Sequence, residues 1–164
     1  MVTAREVAER VPDPELPMLT LADLGILREV EEHDGGRVTV TITPTYSGCP
    51  ALAAIRADLT ARLRAAGYAE VEVRTSLSPA WTTDWITPAG RRKLADAGIA
   101  PPGAAPARRS GPVPLALGPT RRTVRCPRCD SPDTEEVARF GATPCKALWR
   151  CRSCAEPFER VKEL

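Results

Sequence analysis

The chain has 164 residues, 43% of them hydrophobic and 27% charged, with a formal net charge of +2. That length suits one moderate domain plus a small one, and no apolar run approaches the ~20 residues of a membrane-spanning helix, which excludes that class. The charge is uneven, with 11 basic and 14 acidic residues in 1–98 against 12 and 7 in 99–164, so any support for nucleic-acid binding is weak and confined to the tail.

At the start, Thr3-Ala4-Arg5-Glu6 has the capping-box pattern and Val7 and Val11 share a face, which predicts a helix over 4–11. Pro12, Pro14 and Pro17 end it, and DPELP is expected to run extended because residues before proline are pushed out of the helical region. A strand near Ile26–Glu32, the turn HDGG and an alternating strand Arg37–Thr43 form a hairpin with Val38, Val40 and Ile42 on its buried face. His33, the sole histidine, falls in that turn, so a Cys-His or Ser-His pair would have to use an exposed loop tip.

In PTYSGCPALAAIRADLTARLRAAG, Pro50 suits a first helical position, Leu52, Ile55, Leu59 and Leu63 recur at helical spacing, and Gly67 can cap the C-terminus. The segment Glu70–Leu77 alternates Val71, Val73, Thr75 and Leu77 and gives a third strand, hence a helix packed on a three-stranded sheet. Thr87 and Pro88 begin a further helix that stops at Gly98. Residues 99–119 hold six prolines without periodicity and read as a linker stiffened by polyproline-like stretches and partly docked. The fold class is therefore α+β: a domain over 1–98, a Pro-rich linker over 99–119, and a small β domain over 120–164.

That last piece is organised by Cys126 and Cys129 in CPRC and Cys151 and Cys154 in CRSC, two CxxC pairs with 21 residues between them. Two residues between cysteines let a tight turn aim both sulfurs at one point, and two such turns supply the four thiolates of a structural zinc. The intervening stretch is long enough for a strand, a turn and a returning strand, and Phe158 can lie over the site. So short a segment is near the limit for folding without a metal or disulfides. Disulfides are the competing reading, but MVTAREVAER lacks a secretory signal pattern, so a cytoplasmic protein with reduced thiols is expected.

Cys49, in Ser47-Gly48-Cys49-Pro50, stands at a helix entrance, where amides and the dipole favour a thiolate; it reads either as a reactive or metal-binding thiol or as a buried structural cysteine. Asp13 and Glu15 in DPELP could join it in a transient iron site, although Asp13 could instead cap a turn. Trp81 and Trp85 either cover the same end of the sheet or serve as core aromatics. Cys145, in ATPCKALW, is a further thiol, either free on the ribbon's loop or an extra ligand.

DPELP with LADLGI and PTYSGCPA resembles the domain of iron-sulfur assembly factors of the SufT and cytosolic assembly type. With LSPAWTTDWI, GIAPP, CPRC, FGATPCKALWRC and CAEPF added, nearly the whole chain resembles the PaaD family of the bacterial phenylacetyl-CoA epoxidase system. It departs from the family pattern at Ala142, where Ser or Thr is usual, at Trp149, where Tyr is common, and in a terminal ERVKEL without an aromatic. The resemblance implies an accessory protein of phenylacetate catabolism, partnered by the epoxidase subunits, that helps mature their di-iron oxygenase. It implies no catalysis by the chain itself. An iron-loaded, rubredoxin-like electron carrier is the alternative; a nucleic-acid-binding ribbon using Arg121, Arg122, Arg125 and Arg128 is disfavoured by the slightly acidic first domain and the scarcity of aromatics.

Overall fold

The computed structural model describes residues 2–105 and 123–163, and the chain divides into two units, Met1–Leu94 and Ala95–Leu164. In the first unit, α1 (Ala4–Glu9) is set by a reciprocal capping box: the Glu6 amide donates to Thr3 Oγ1 at 3.2 Å, and the Thr3 amide donates to the Glu6 carboxylate at 2.9 Å. The helix stops two residues short of the predicted end because Pro12 keeps Val11 out of helical backbone. Its buried face also differs, running through Ala4, Ala8 and Val11 with Val7 only half-buried.

DPELP does not run extended. The chain folds back through an antiparallel bridge between Pro12 and Thr20, with the Asp13 amide donating to Leu19 O at 2.9 Å and the Leu21 amide to Val11 O at 2.9 Å. Prolines at 12, 14 and 17 restrict each preceding residue, but they do not stop side-chain turns from closing the loop.

The sheet has the order β1 (Leu27–His33), β2 (Arg37–Ile42), β3 (Glu70–Thr75); β1 pairs antiparallel to β2, and β3 lies parallel to β2. A parallel neighbour requires a crossover, supplied by α2 (Leu52–Ala65). Val38, Val40 and Ile42 are fully buried, as the alternation requires, and Ile55, Leu59 and Leu63 of α2 join the core. Gly67, at φ +101°, closes α2 with a Schellman pattern in which the Tyr68 amide donates to Leu63 O and the Gly67 amide to Arg64 O. Leu77 is 56% exposed and lies beyond β3, so the alternation of the third strand ends at Thr75.

α3 (Pro88–Asp96) packs on the loop that carries LADLG. Thr87 Oγ1 accepts the Gly90 amide at 3.0 Å, and the Thr87 amide donates to Asp23 O at 2.9 Å. A Cβ on Gly90 would sit 2.7 Å from that same carbonyl, so only glycine allows the approach. Gly25, at φ +68°, is equally confined, because a Cβ there would meet Trp85 at 2.6 Å. Trp81 is a core aromatic, buried with its indole N–H donating to Leu24 O at 2.9 Å, while Trp85 is half-buried under the Arg28 guanidinium, 3.7 Å above its ring.

The second unit is a three-stranded antiparallel sheet in the order β4 (Thr134–Ala138), β5 (Lys146–Cys151), β6 (Pro157–Val161). Its core gathers Ala100, Val124, Cys126, Ala147, Trp149, Cys151 and Phe158. The first residues of the expected linker are part of this unit: the Ala100 amide donates to Glu159 O at 2.8 Å, and the Val161 amide donates to Ala100 O at 3.1 Å. Residues 106–119 of that linker, and Arg121 and Arg122 of the basic patch, lie outside the described residues. Among the described residues no helix is long and apolar enough to cross a membrane.

Candidate metal centre

Each CxxC pair sits in a backbone knuckle, and the two knuckles repeat one another. The Cys126 amide donates to Ser131 O at 3.0 Å, and the Cys151 amide donates to Glu156 O at 2.9 Å, so each first cysteine is tied to the residue five positions on. The residue after each second cysteine takes left-handed backbone, Asp130 at φ +58° and Ala155 at φ +61°, without a glycine at either place. This reversal turns the chain back over its own sulfurs. The two knuckles also meet directly, with Ser131 Oγ and Ser153 Oγ 2.7 Å apart.

The four sulfurs lie within 4.8 Å of one another. Cys126 Sγ is 3.8 Å from Cys154 Sγ, and Cys129 Sγ is 3.6 Å from Cys151 Sγ. A regular tetrahedron with metal–sulfur arms of about 2.3 Å has edges of about 3.8 Å, so the spacing fits a tetrathiolate metal site. Cys126 and Cys151 belong to the buried core, whereas Cys129 and Cys154 are exposed. The four are brought together as the sequence spacing predicts, with β4 and β5 forming the strand and returning strand between the pairs.

The thiols compete for charge. The Cys154 amide is the largest influence on Cys151 and, with the Cys129 and Cys154 thiols, draws it down to about 7. At Cys129 the Ser131 amide pulls downward, but the contacts with Cys154, Cys151 and Cys126, together with burial, outweigh it and push the thiol up to about 12. Cys154 is also raised: the Glu156 amide favours its thiolate, yet burial and the bonds from Cys151 and Cys126 prevail. Crowded thiolates repel one another, and a bound dication removes the conflict by favouring all four anions at once.

The other candidate residues are not members of this group of four. Asp13 is buried and its Oδ1 accepts the amides of Glu15 at 2.9 Å and Leu16 at 2.8 Å, the side-chain turn that closes the DPELP loop. Glu15 is half-exposed on the same loop. Cys49 is half-buried in a turn where its amide donates to Tyr46 O and its carbonyl accepts the Leu52 amide, both at 3.2 Å. The helix begins at Leu52 with Ala51 as its cap, so Pro50 lies ahead of α2 rather than in its first turn. Cys145 is half-buried with its Sγ 3.1 Å from Thr143 Oγ1, outside the group of four. His33 ends β1, its Nε2 3.1 Å from Thr39 Oγ1. Sequence reasoning missed the left-handed Asp130 and Ala155; the signal available was their equal offset from each CxxC, which the absence of glycine concealed.

Residues 110–162 match the PaaD zinc beta ribbon domain, and residues 3–74 match the iron-sulfur cluster assembly protein family. The chain is 46% identical over 157 residues to an Escherichia coli (strain K12) protein named as a subunit of 1,2-phenylacetyl-CoA epoxidase, covering 93% of this chain and 87% of the other. It is 33% identical over 78 residues to an Fe-S protein maturation auxiliary factor of Porphyromonas gingivalis, covering 47% of this chain and 73% of that protein. A crystal structure of DUF59, a domain of unknown function, from Bacillus anthracis superimposes with a TM-score of 0.52 at 26% identity, covering 56% of this chain and 87% of that one.

Proposed function

The chain belongs to the PaaD family of the 1,2-phenylacetyl-CoA epoxidase system, and from that premise we propose that it is a non-catalytic maturation factor for the di-iron oxygenase of phenylacetate degradation. The observation that carries this reading is the union, in one chain, of an iron-sulfur-assembly domain and a closed tetrathiolate ribbon. Four thiolates leave no open position for a substrate, so the ribbon's metal, zinc in this reading, holds the small second unit in shape. Bound zinc contributes on the order of 10–16 kcal/mol of apparent folding free energy in zinc-finger peptides, ample for that purpose.

Iron, or an iron-sulfur cluster, is then cargo rather than resident cofactor. It needs few and exchangeable ligands, which Cys49 with Asp13 or Glu15 would supply in the first unit, while the ribbon docks the client subunit. For Asp13 this means giving up its bonds to the Glu15 and Leu16 amides when metal arrives. The test is a Cys49→Ala chain co-expressed with the epoxidase subunits: iron content and epoxidation are expected to fall together. Fully iron-loaded, active oxygenase would remove the transfer role.

The exposure of Cys129 and Cys154 favours one other reading, since an electron-transfer centre needs sulfurs near the surface. Metal analysis and a visible spectrum of anaerobically purified protein separate the two. Stoichiometric, colourless zinc supports the clamp; an iron-thiolate absorption supports the electron carrier.

A further inference from the structure

The ribbon carries a cleft of about 960 Å³, lined among the described residues by all three strands and by the turn between β4 and β5. Trp149 lines it, and its indole N–H is buried without an acceptor among the described residues. The same cleft is lined by two cations without a carboxylate in ion-pair reach among the described residues. Arg139 is one. The other is Lys162, whose Nζ donates to the Pro144 carbonyl at 2.8 Å and lies 4.0 Å above the Phe140 ring. Burial, then the neighbouring Arg139 charge, lowers the Lys162 pKa, with smaller opposing influences from Cys145 and Glu136. A carboxylate entering here neutralises the Arg139–Lys162 repulsion.

The acidic groups of the same cleft do not meet this need. Glu135 is taken by Arg152 at 2.6 Å, and neither Asp133 nor Glu136 comes within ion-pair distance of Arg139 or Lys162. β4 forms part of the wall, and its outer edge has no strand partner among the described residues. Val137 and Phe140, at 56% and 67% exposed, add apolar surface along and just beyond that edge. Unpaired edges invite strand addition.

We propose that this cleft docks an extended, carboxylate-bearing segment of a partner protein, which pairs with the edge of β4 and sets an acidic side chain between Arg139 and Lys162. The inference rests on the ribbon being the docking half of the chain and is independent of Cys49. Charge complementarity selects an acidic segment over a basic one, and the open β4 edge with the exposed Val137 and Phe140 selects a peptide over a nucleic acid or a free anion.

The test uses the full metal-loaded chain, a synthetic decapeptide of alternating valine and glutamate, and its glutamine counterpart. The readout is the indole N–H resonance of Trp149, assigned with Trp149→Phe. The glutamate peptide is expected to shift it saturably, with at least tenfold weaker binding for the glutamine peptide and for an Arg139→Glu, Lys162→Glu double variant whose peptide-free indole signal is unmoved. Equal binding of both peptides, no shift with either, or the same shift from acetate at matched concentration would overturn the proposal, the last by showing a free-anion site. None of these outcomes bears on iron loading in cells, so the Cys49 reading stands or falls separately.

Discussion

Ala155 offers a direct measure of how far the knuckle backbone sets metal affinity. Its φ of +61° is in the left-handed region, where an L-residue with a Cβ costs about 1–2 kcal/mol. The side chain is exposed, so glycine at this position loses little packing. Glycine brings an opposing entropic cost of roughly 0.5–1 kcal/mol, because the unfolded chain gains freedom. The net expectation for Ala155→Gly is a stabilisation of about 0.5–1 kcal/mol. In a small metal domain folding and binding are one equilibrium, so this appears as affinity, about two- to fivefold tighter at 1.4 kcal/mol per decade. Competition with a chelator of known affinity measures it, and Ala155→Val, which places a β-branched residue at positive φ, is expected to weaken binding. Unchanged or weaker binding in the glycine variant, with no penalty from valine, would show that the left-handed turn does not govern the site. Asp130→Gly is a poorer probe, because it also removes the 2.9 Å contact with Arg125.

Stripping the metal with a chelator is expected to collapse the Trp149 indole resonance while leaving that of Trp81, in the other unit, in place; loss of both would mean that the two units do not fold independently. Gly90→Ala would place a Cβ 2.7 Å from Asp23 O and is expected to lower stability by about 1–3 kcal/mol in urea denaturation, with the ribbon's metal content unchanged. For Asp23, burial raises the carboxyl pKa, but the Lys93 ammonium at 2.6 Å and the Thr20 bonds outweigh it and hold it below 3.8. A depressed folded value gives stability that is present above the unfolded pKa and lost as pH falls through the folded one. Asp23→Asn is therefore expected to unfold more easily than the parent chain at neutral pH and to converge with it in acid; a constant gap down to pH 2 would refute the assignment.

The four-cysteine site was legible because its chemistry is local: CxxC encodes a turn, and only the closing of two turns on one another is long-range. The central strand and α2 were legible for a similar reason, since Val38, Val40, Ile42, Ile55, Leu59 and Leu63 carry their periods openly. DPELP misled because proline rules constrain each preceding residue alone, whereas the loop is closed by Asp13 accepting two amides. Pro50 misled because the turn Cys49–Leu52 precedes the helix and uses the same backbone direction. Leu77 continued an alternation that the sheet itself had already ended.

The contacts of Asp23 explain why residues far apart in sequence bear on the loop that presents Asp13 and Glu15. Thr20 and Asp23 bond reciprocally, with the Thr20 amide to Oδ2 at 3.0 Å and the Asp23 amide to Thr20 Oγ1 at 3.1 Å, and Thr20 is also the far end of the bridge to Pro12. The backbone oxygen of Asp23 receives the Thr87 amide, and its carboxylate receives Lys93. Gly90 and Gly25 let α3 and Trp85 close against this corner. The loop over residues 12–20 is therefore anchored at its base by α3, while its tip is held by the Asp13 side chain. Breaking the tip bonds releases the Glu15 and Leu16 amides without loosening the base. The adaptable part of the loop is the Asp13 turn, and the rigid part is a corner assembled from LADLG and TDWITPAG.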